Sequence, residues 1–374
     1  MLHMESLSQR DRPVGFDERL LNIAVEHVKR PVRTGEIPCA AISIYRHDQC
    51  AVALAIGNKV ARPCPIAADV STIFDLASLT KVIATATAIN ILFERGMLAP
   101  ETEVGRILPA FARQAQVAGY ADRGKITIRH LLTHCAGFPA GGNYRGKQIS
   151  LGMIVDDIAR SRVMYPLGTK FLYSDFSFIT LGAVVTNITG QTLDRFCADA
   201  IFTPLGMTDT GFNLPSAKHS RCASTAAGNN APENQGFVHD PTALALGGVA
   251  GHAGLFSTIH DVSKWCRMML GGGMVDGVRI MRRGTVARMT SPQSPFLGEE
   301  RGFGVDIASD YNVRGELTVG SYGHTGFTGT SIWLDPANDL FVVLLTNGVH
   351  GKPPAKVTAV RRRLHAAVSR ARTD

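Results

Sequence analysis

Residues 74–81 read Phe74-Asp-Leu-Ala-Ser78-Leu-Thr-Lys81, and a segment rich in Ala, Ile and Leu continues to Glu94. The apolar run predicts a helix from about Ser78 onward. Residues three apart on a helix share a face, so the Lys81 ammonium can reach the Ser78 hydroxyl. A serine at a helix N-terminus also lies beside backbone N–H groups without helical partners, which favour developing negative charge. A lysine whose pKa is lowered by burial can then act as base toward the serine. The plainer alternative for Ser78 is an N-cap. Ser-x-x-Lys is a short pattern, so its meaning depends on what the rest of the chain supplies.

Upstream of it, Leu20–Val28 carries an apolar face at helical spacing, and Pro31 is expected to stop that helix. Two alternating runs, Ala40–Tyr45 and Ala51–Ile56, joined by polar Arg46–Gln49, predict a hairpin. Downstream, Ile128–Thr133, Ile154–Ser161 and Ile179–Ile188 have helical patterns, and Asn213–Asn234 reads as a polar loop. Glycine clusters at Gly247–Gly254 and Gly271–Gly273 flank a helix at Ile259–Leu270. Strands return at Gly302–Ile307, Ser331–Leu334 and Leu340–Leu345, the last two joined by an Asp335-Pro-Ala-Asn-Asp339 turn. A terminal helix follows from about Ala355.

Strands at both chain ends with helices between them predict an α+β fold. One antiparallel sheet is completed by both termini and flanked by N- and C-terminal helices, with an all-helical lobe inserted. The active site is expected in the cleft between lobes. The expected organisation is a single domain over 1–374, with an α/β lobe at about 16–80 and 245–374 and a helical lobe at about 81–244. No βαβ alternation supports a dinucleotide-binding fold.

Bulk properties narrow the class. The 374 residues are 45% hydrophobic and 19% charged, a globular composition that excludes wholesale disorder. No apolar stretch approaches the roughly 18–20 residues of a membrane-spanning helix. The net charge of +8 is concentrated at the end, in Lys352, Lys356, Arg361, Arg362, Arg363, Arg370 and Arg372. No aromatic platform is interleaved with them, so a solvated basic face on the terminal helix is expected and no nucleic-acid partner. The cysteines, at 39, 50, 64, 135, 197, 222 and 266, are odd in number and include no CxxC pair. Neither a metal site nor a disulfide framework is expected. The stretch Met1–Pro13 has no apolar h-region, which points to the cytoplasm, or to export with a leader removed.

Two further segments could join Ser78. Tyr173-Ser174-Asp175 precedes an apolar helix, and a tyrosine in a cleft can shuttle protons when cations stabilise its phenolate. Gly323-His324-Thr325-Gly326-Phe327-Thr328-Gly329 leads into a strand, where glycines let a ligand approach and a main-chain N–H can complete an oxyanion hole. Taken singly, packing and a hairpin turn explain these two equally well. His130 and His134 have the spacing of a helical zinc pair but lack the HExxH glutamate, so packing or capping is expected of them. The glycine-rich stretch after Gly247 has no G-K-[ST] and is no phosphate loop. No G-x-S-x-G occurs, against an α/β-hydrolase.

Taken together and in this order, Ser-x-x-Lys, Tyr-x-Asp and His-Thr-Gly resemble the serine β-lactamase/penicillin-binding-protein superfamily. The likeness is to its class C branch, which includes family VIII carboxylesterases and D-Ala-D-Ala carboxypeptidases. Thr127–Gly137, Ile201–Gly211, Gly247–Ser257 and Asp335-Pro336 extend the resemblance over about residues 20–350. It implies that Ser78 is the nucleophile of an acyl-enzyme, that Lys81 helps deprotonate it, and that Tyr173 is general base and then acid. The N–H groups of Ser78 and Phe327 would form the oxyanion hole, and Thr325 and Gly326 would line the substrate strand. No cofactor is implied.

Two positions depart from the family pattern. His324 stands where penicillin-recognising members carry lysine, and imidazole is mostly neutral at pH 7. Asp175 stands where class C enzymes carry Asn. If ionised near Lys81 it raises that lysine's pKa and leaves Tyr173 as the base. The expected activity is hydrolysis of small esters, or of D-amino-acid amides and peptides, in preference to β-lactams. The alternatives are a β-lactamase or DD-carboxypeptidase, an acyltransferase using the same intermediate, and a catalytically silent binding module.

Overall fold

A computed structural model describes residues 15–373, apart from 63, 120, 226–233, 295, 297, 310–311 and 351–354. The stretch Met1–Pro13, the middle of the loop at Asn213–Asn234, and Lys352 lie outside the described residues.

The chain starts with α1 (Glu18–Arg33), then β1 (Cys39–Arg46), β2 (Gln49–Val60), β3 (Ile66–Ala67) and β4 (Phe74–Asp75). A π-helical turn, Lys81–Ala86, runs straight into α2 (Thr87–Glu94). Short helices follow: α3 (Pro109–Ala115), α4 (Ile128–Leu132), α5 (Leu151–Arg160), α6 (Asp175–Thr189), α7 (Leu193–Cys197) and α8 (Pro241–Ala245). The chain then forms β5 (Phe256–Ser257), α9 (Ile259–Leu270), β6 (Met274–Val275), β7 (Val278–Arg279), α10 (Arg283–Thr290) and β8 (Glu300–Arg301). It ends with β9 (Asp306–Ala308), β10 (Tyr322–Thr325), β11 (Ser331–Asp335), β12 (Leu340–Thr346) and α11 (Thr358–Arg370).

Eight strands form one antiparallel sheet in the order β3-β2-β1-β12-β11-β10-β9-β8. The two chain ends meet where β1 pairs with β12, Ile42 opposite Leu344. Period-2 alternation decides what each face buries. Ile42, Ile44, Val342 and Leu344 point into a cluster with Val25 and Val28 of α1 and Leu364 and Val368 of α11. Their neighbours Ala41, Val343 and Leu345 point the other way, into a larger cluster with Val262 and Trp265 of α9 and the apolar side of α2 and α6.

Three expectations need correction. Pro31 lies inside α1, which runs on to Arg33. Only one i→i−4 bond is forfeited, in the last turn, and the ring is buried. The strand expected at Gly302–Ile307 is two short strands joined by a turn, because Gly304 has φ +93 and a Cβ there would lie 2.4 Å from Ala86 Cβ. That turn brings Arg301 and Asp306 to the sheet end nearest Ser78. Finally, Arg361 is no part of a solvated basic face. It is buried, and donates to the carbonyls of Gly326 and Thr330 at 2.8 Å each.

Candidate active site

Ser78 occupies the turn leading into the helix, and Lys81 Nζ reaches its Oγ at 2.8 Å. The lysine is fully buried. The Asp175 carboxylate at 2.8 Å and the His252 carbonyl at 3.0 Å also accept from it. Burial alone would lower its pKa, but Asp175 and then Tyr173 outweigh burial and the net shift is upward. Lys81 is therefore an ammonium. The lysine lowered by burial, expected from Ser-x-x-Lys alone, gives way to the alternative drawn from Asp175.

Tyr173 lies with its ring 5.0 Å from Lys81 Nζ, and its side chain also hydrogen-bonds the lysine. Its segment is held on both sides of the tyrosine by His134. His134 accepts the Ser174 N–H on Nδ1 at 3.1 Å and the Leu172 N–H on its carbonyl at 2.9 Å, while its ring lies 4.5 Å from that of Tyr173. Burial, reinforced by Arg301 and Lys81, holds the His134 pKa well below the usual histidine range, so the imidazole is a neutral acceptor. Asp175 N–H donates to the Ala140 carbonyl at 2.7 Å, which starts α6 with the carboxylate toward Lys81. His130 caps α4 in a reciprocal box with Thr127. The two histidines expected to pack or cap do so, and His134 also orients the Tyr173–Asp175 segment.

The other wall is the turn after β10. Thr328 Oγ1 donates to the Asp75 carbonyl at 2.8 Å and Thr330 Oγ1 to the Leu76 carbonyl at 2.9 Å, stitching the turn to the residues before Ser78. Gly326 permits that approach, since a Cβ there would lie 2.5 Å from Leu76 O and 2.1 Å from Thr330 Oγ1. Ala77 is held in the left-handed region at φ +48, strain of the kind that collects at functional sites. Neither the Ser78 nor the Phe327 N–H has a hydrogen-bond partner among the described residues. The Phe327 ring is 77% exposed and stacks on His239 at 5.7 Å.

Ser78, Tyr173, His324, Thr325, Gly326 and Phe327 line one cavity of about 840 Å³ that extends to the start of α11. His324 is buried. Burial, with Arg301 and Lys81 adding, pushes its pKa well below the usual range. Its Nδ1 lies 2.8 Å from the Thr325 carbonyl, so the neutral ring donates there and leaves Nε2 as an acceptor.

The cation near it is one the sequence did not single out. Arg301 also lines this cavity, and its Nε and Nη2 have no hydrogen-bond partner among the described residues. The nearest carboxylate oxygen, on Asp306, is 3.8 Å from Nη1, and burial raises the pKa of that acid. Nothing in Glu300-Arg301-Gly302 marks this role, because it arises from the turn at Gly304.

Asp175, Asp240 and His252 offer metal-ligand atoms within 4.8 Å of one another. Lys81 bonds Asp175, and His252 Nε2 lies 2.8 Å from Asp240, while His252 Nδ1 has no hydrogen-bond partner among the described residues. The donor set therefore fits an ion-pair network around Lys81 better than a cation site. All seven cysteines are free.

This site and this sheet coincide with a family. The family model described as Beta-lactamase matches residues 24–367, and the chain belongs to that family of serine hydrolases, whose chemistry passes through an acyl-enzyme. An Escherichia coli (strain K12) protein named "Putative D-alanyl-D-alanine carboxypeptidase" is 32% identical over 372 residues, 90% of this chain and 84% of that one. Two solved structures share the fold: EstCE1, a hydrolase with promiscuous acyltransferase activity, at TM-score 0.76 and 21% identity over 93% of this chain and 99% of that one; and a penicillin-binding protein homologue from Caulobacter crescentus at TM-score 0.73 and 20% identity over 96% and 99%. Among the described residues, no helix is long and apolar enough to cross a membrane.

Proposed function

We propose that this hydrolase cleaves peptides or esters whose leaving group carries a free carboxylate, of the D-amino-acid carboxypeptidase type. The observation that carries this reading is Arg301, a buried guanidinium with two unpartnered donors in the wall of the cavity that holds Ser78. A substrate carboxylate at that wall would be held by the charge of the guanidinium, a cation that matches a carboxylate in geometry. His324, being neutral, would serve as an acceptor on Nε2 rather than as the cation of this site. The name of the Escherichia coli relative points the same way.

In this reading Ser78 Oγ attacks the carbonyl carbon and its proton passes to Tyr173, while the Lys81 ammonium stabilises the phenolate. The tetrahedral oxyanion is held by the Ser78 and Phe327 N–H groups. The carbonyl-to-leaving-group bond breaks, the leaving group takes the proton from Tyr173, and water repeats the sequence on the acyl-enzyme.

The test compares 3-carboxyphenyl and phenyl esters of N-acetylglycine on wild type, Arg301→Gln and Ser78→Ala. Wild type should prefer the carboxylated ester by about 10- to 100-fold, the worth of a charge-assisted hydrogen bond. Arg301→Gln should lose the preference while keeping the phenyl ester activity, and Ser78→Ala should lose both. Equal rates on the two esters in wild type would remove the carboxylate reading. Activity surviving in Ser78→Ala would remove the nucleophile.

A further inference from the structure

Asp75 is buried, yet no cation pairs with it among the described residues. An isolated buried carboxylate is expensive, so its contacts need explaining. Oδ1 accepts the N–H of Ala77 at 2.8 Å, and Oδ2 accepts the N–H of His239 at 2.7 Å. Its backbone carbonyl accepts the Thr328 hydroxyl at 2.8 Å. One residue thus bonds the strained position before Ser78, the loop whose imidazole stacks on Phe327, and the turn that carries the Phe327 N–H.

We propose that Asp75 is a positioning residue for the reaction at Ser78, its ionised carboxylate keeping the Ser78 and Phe327 N–H groups in register as one oxyanion hole. The proposal rests on the reading of Ser78 as nucleophile. Two N–H donors converge on two carboxylate oxygens. Asn offers one acceptor and one N–H group, so it can satisfy only one of them. A protonated carboxyl likewise turns one of its oxygens from acceptor to donor.

Burial, with the like charge of Asp240 adding, raises the Asp75 pKa to about 6 against its two N–H bonds. The Cys222 thiol is pushed up to about 12 by burial, and the His239 imidazole is held below its ordinary value by burial. The hole should therefore loosen as pH falls through about 6.

The experiment measures kcat and KM for p-nitrophenyl butyrate from pH 4.5 to 8.5 in wild type, Asp75→Asn and Thr328→Val. Wild-type kcat should fall with pH through a transition near 6, the Asp75 value. At pH 7.5, Asp75→Asn should lower kcat on the order of 100-fold, as a misplaced oxyanion donor does, with KM little changed and the acid transition gone. Thr328→Val should lower kcat in the same sense by a smaller factor. Wild-type kcat in Asp75→Asn, or an intact acid transition in that variant, overturns the proposal. If Asp75→Asn does not fold, a flat wild-type profile from pH 5 to 7 overturns it instead. Ser78→Ala, run alongside, separates the two failures: activity there defeats the nucleophile reading and not the wiring of the hole.

Discussion

The two faces of the central sheet are built on opposite principles. Behind it, α1 and α11 cover β1 and β12 mostly with Val, Leu, Ile and Ala, and Arg361 and His365, which α11 buries there, bond main-chain carbonyls. In front, around Ser78, stand a buried ammonium, a guanidinium with two donors that lack hydrogen-bond partners, a carboxylate without a cation and an alanine at φ +48. The back supplies stability, and the front draws on it. Strain and uncompensated charge persist only where a surrounding structure over-determines them. The difference teaches which substitutions should cost folding and which should cost turnover.

Ile42→Ala gives the largest effect on the back. It removes a fully buried side chain between Leu54 and Leu344, and should cost about 3 kcal/mol of unfolding free energy, in the range for Ile→Ala in cores. Denaturant titration measures that loss. Turnover per folded molecule should be unchanged, and a drop in kcat would blur the division between the faces.

Gly326→Ala is the mirror case. The added methyl meets Thr330 Oγ1 and the Leu76 carbonyl, so the turn must back away from Ser78. Activity should fall on the order of 100-fold with a smaller stability loss. Steady-state kinetics beside a thermal melt would show which quantity moved.

Asp175→Asn should have the smallest effect on rate and a definite one on pH. Asp175 and Tyr173 together hold the Lys81 pKa above its ordinary value against burial. Without the carboxylate, burial wins ground and the lysine loses its proton at lower pH. If the ammonium is the working form, the alkaline fall in kcat moves to lower pH. An alkaline limb that stays in place would mean that Lys81 works as a base.

The apolar face was readable because it is periodic. Alternation along Ala40–Tyr45 and the unbroken apolar run Leu340–Leu345 mark strands, whichever residues they pair with. Ser78, Lys81 and Tyr173 were readable because helical spacing and motif order bring them out. Arg301 and Asp75 were not. Each is an unremarked charge whose role comes from what a turn brings beside it: Gly304 bends the chain at Arg301, and residues 239 and 328 arrive at Asp75 from far along the sequence. Pro31 misled for the opposite reason, since a local rule about proline yields where one lost hydrogen bond is offset by burial of the ring.

Local order thus determined, without any structure, that this is an α+β chain with a serine and a lysine on one helical face and a histidine replacing the usual lysine. Only tertiary structure decided the charge on each group. Protonation depends on burial and on partners brought from distant segments: Asp175 keeps Lys81 charged, burial beside Arg301 keeps His324 neutral, and Asp75 stands with two N–H donors and no cation.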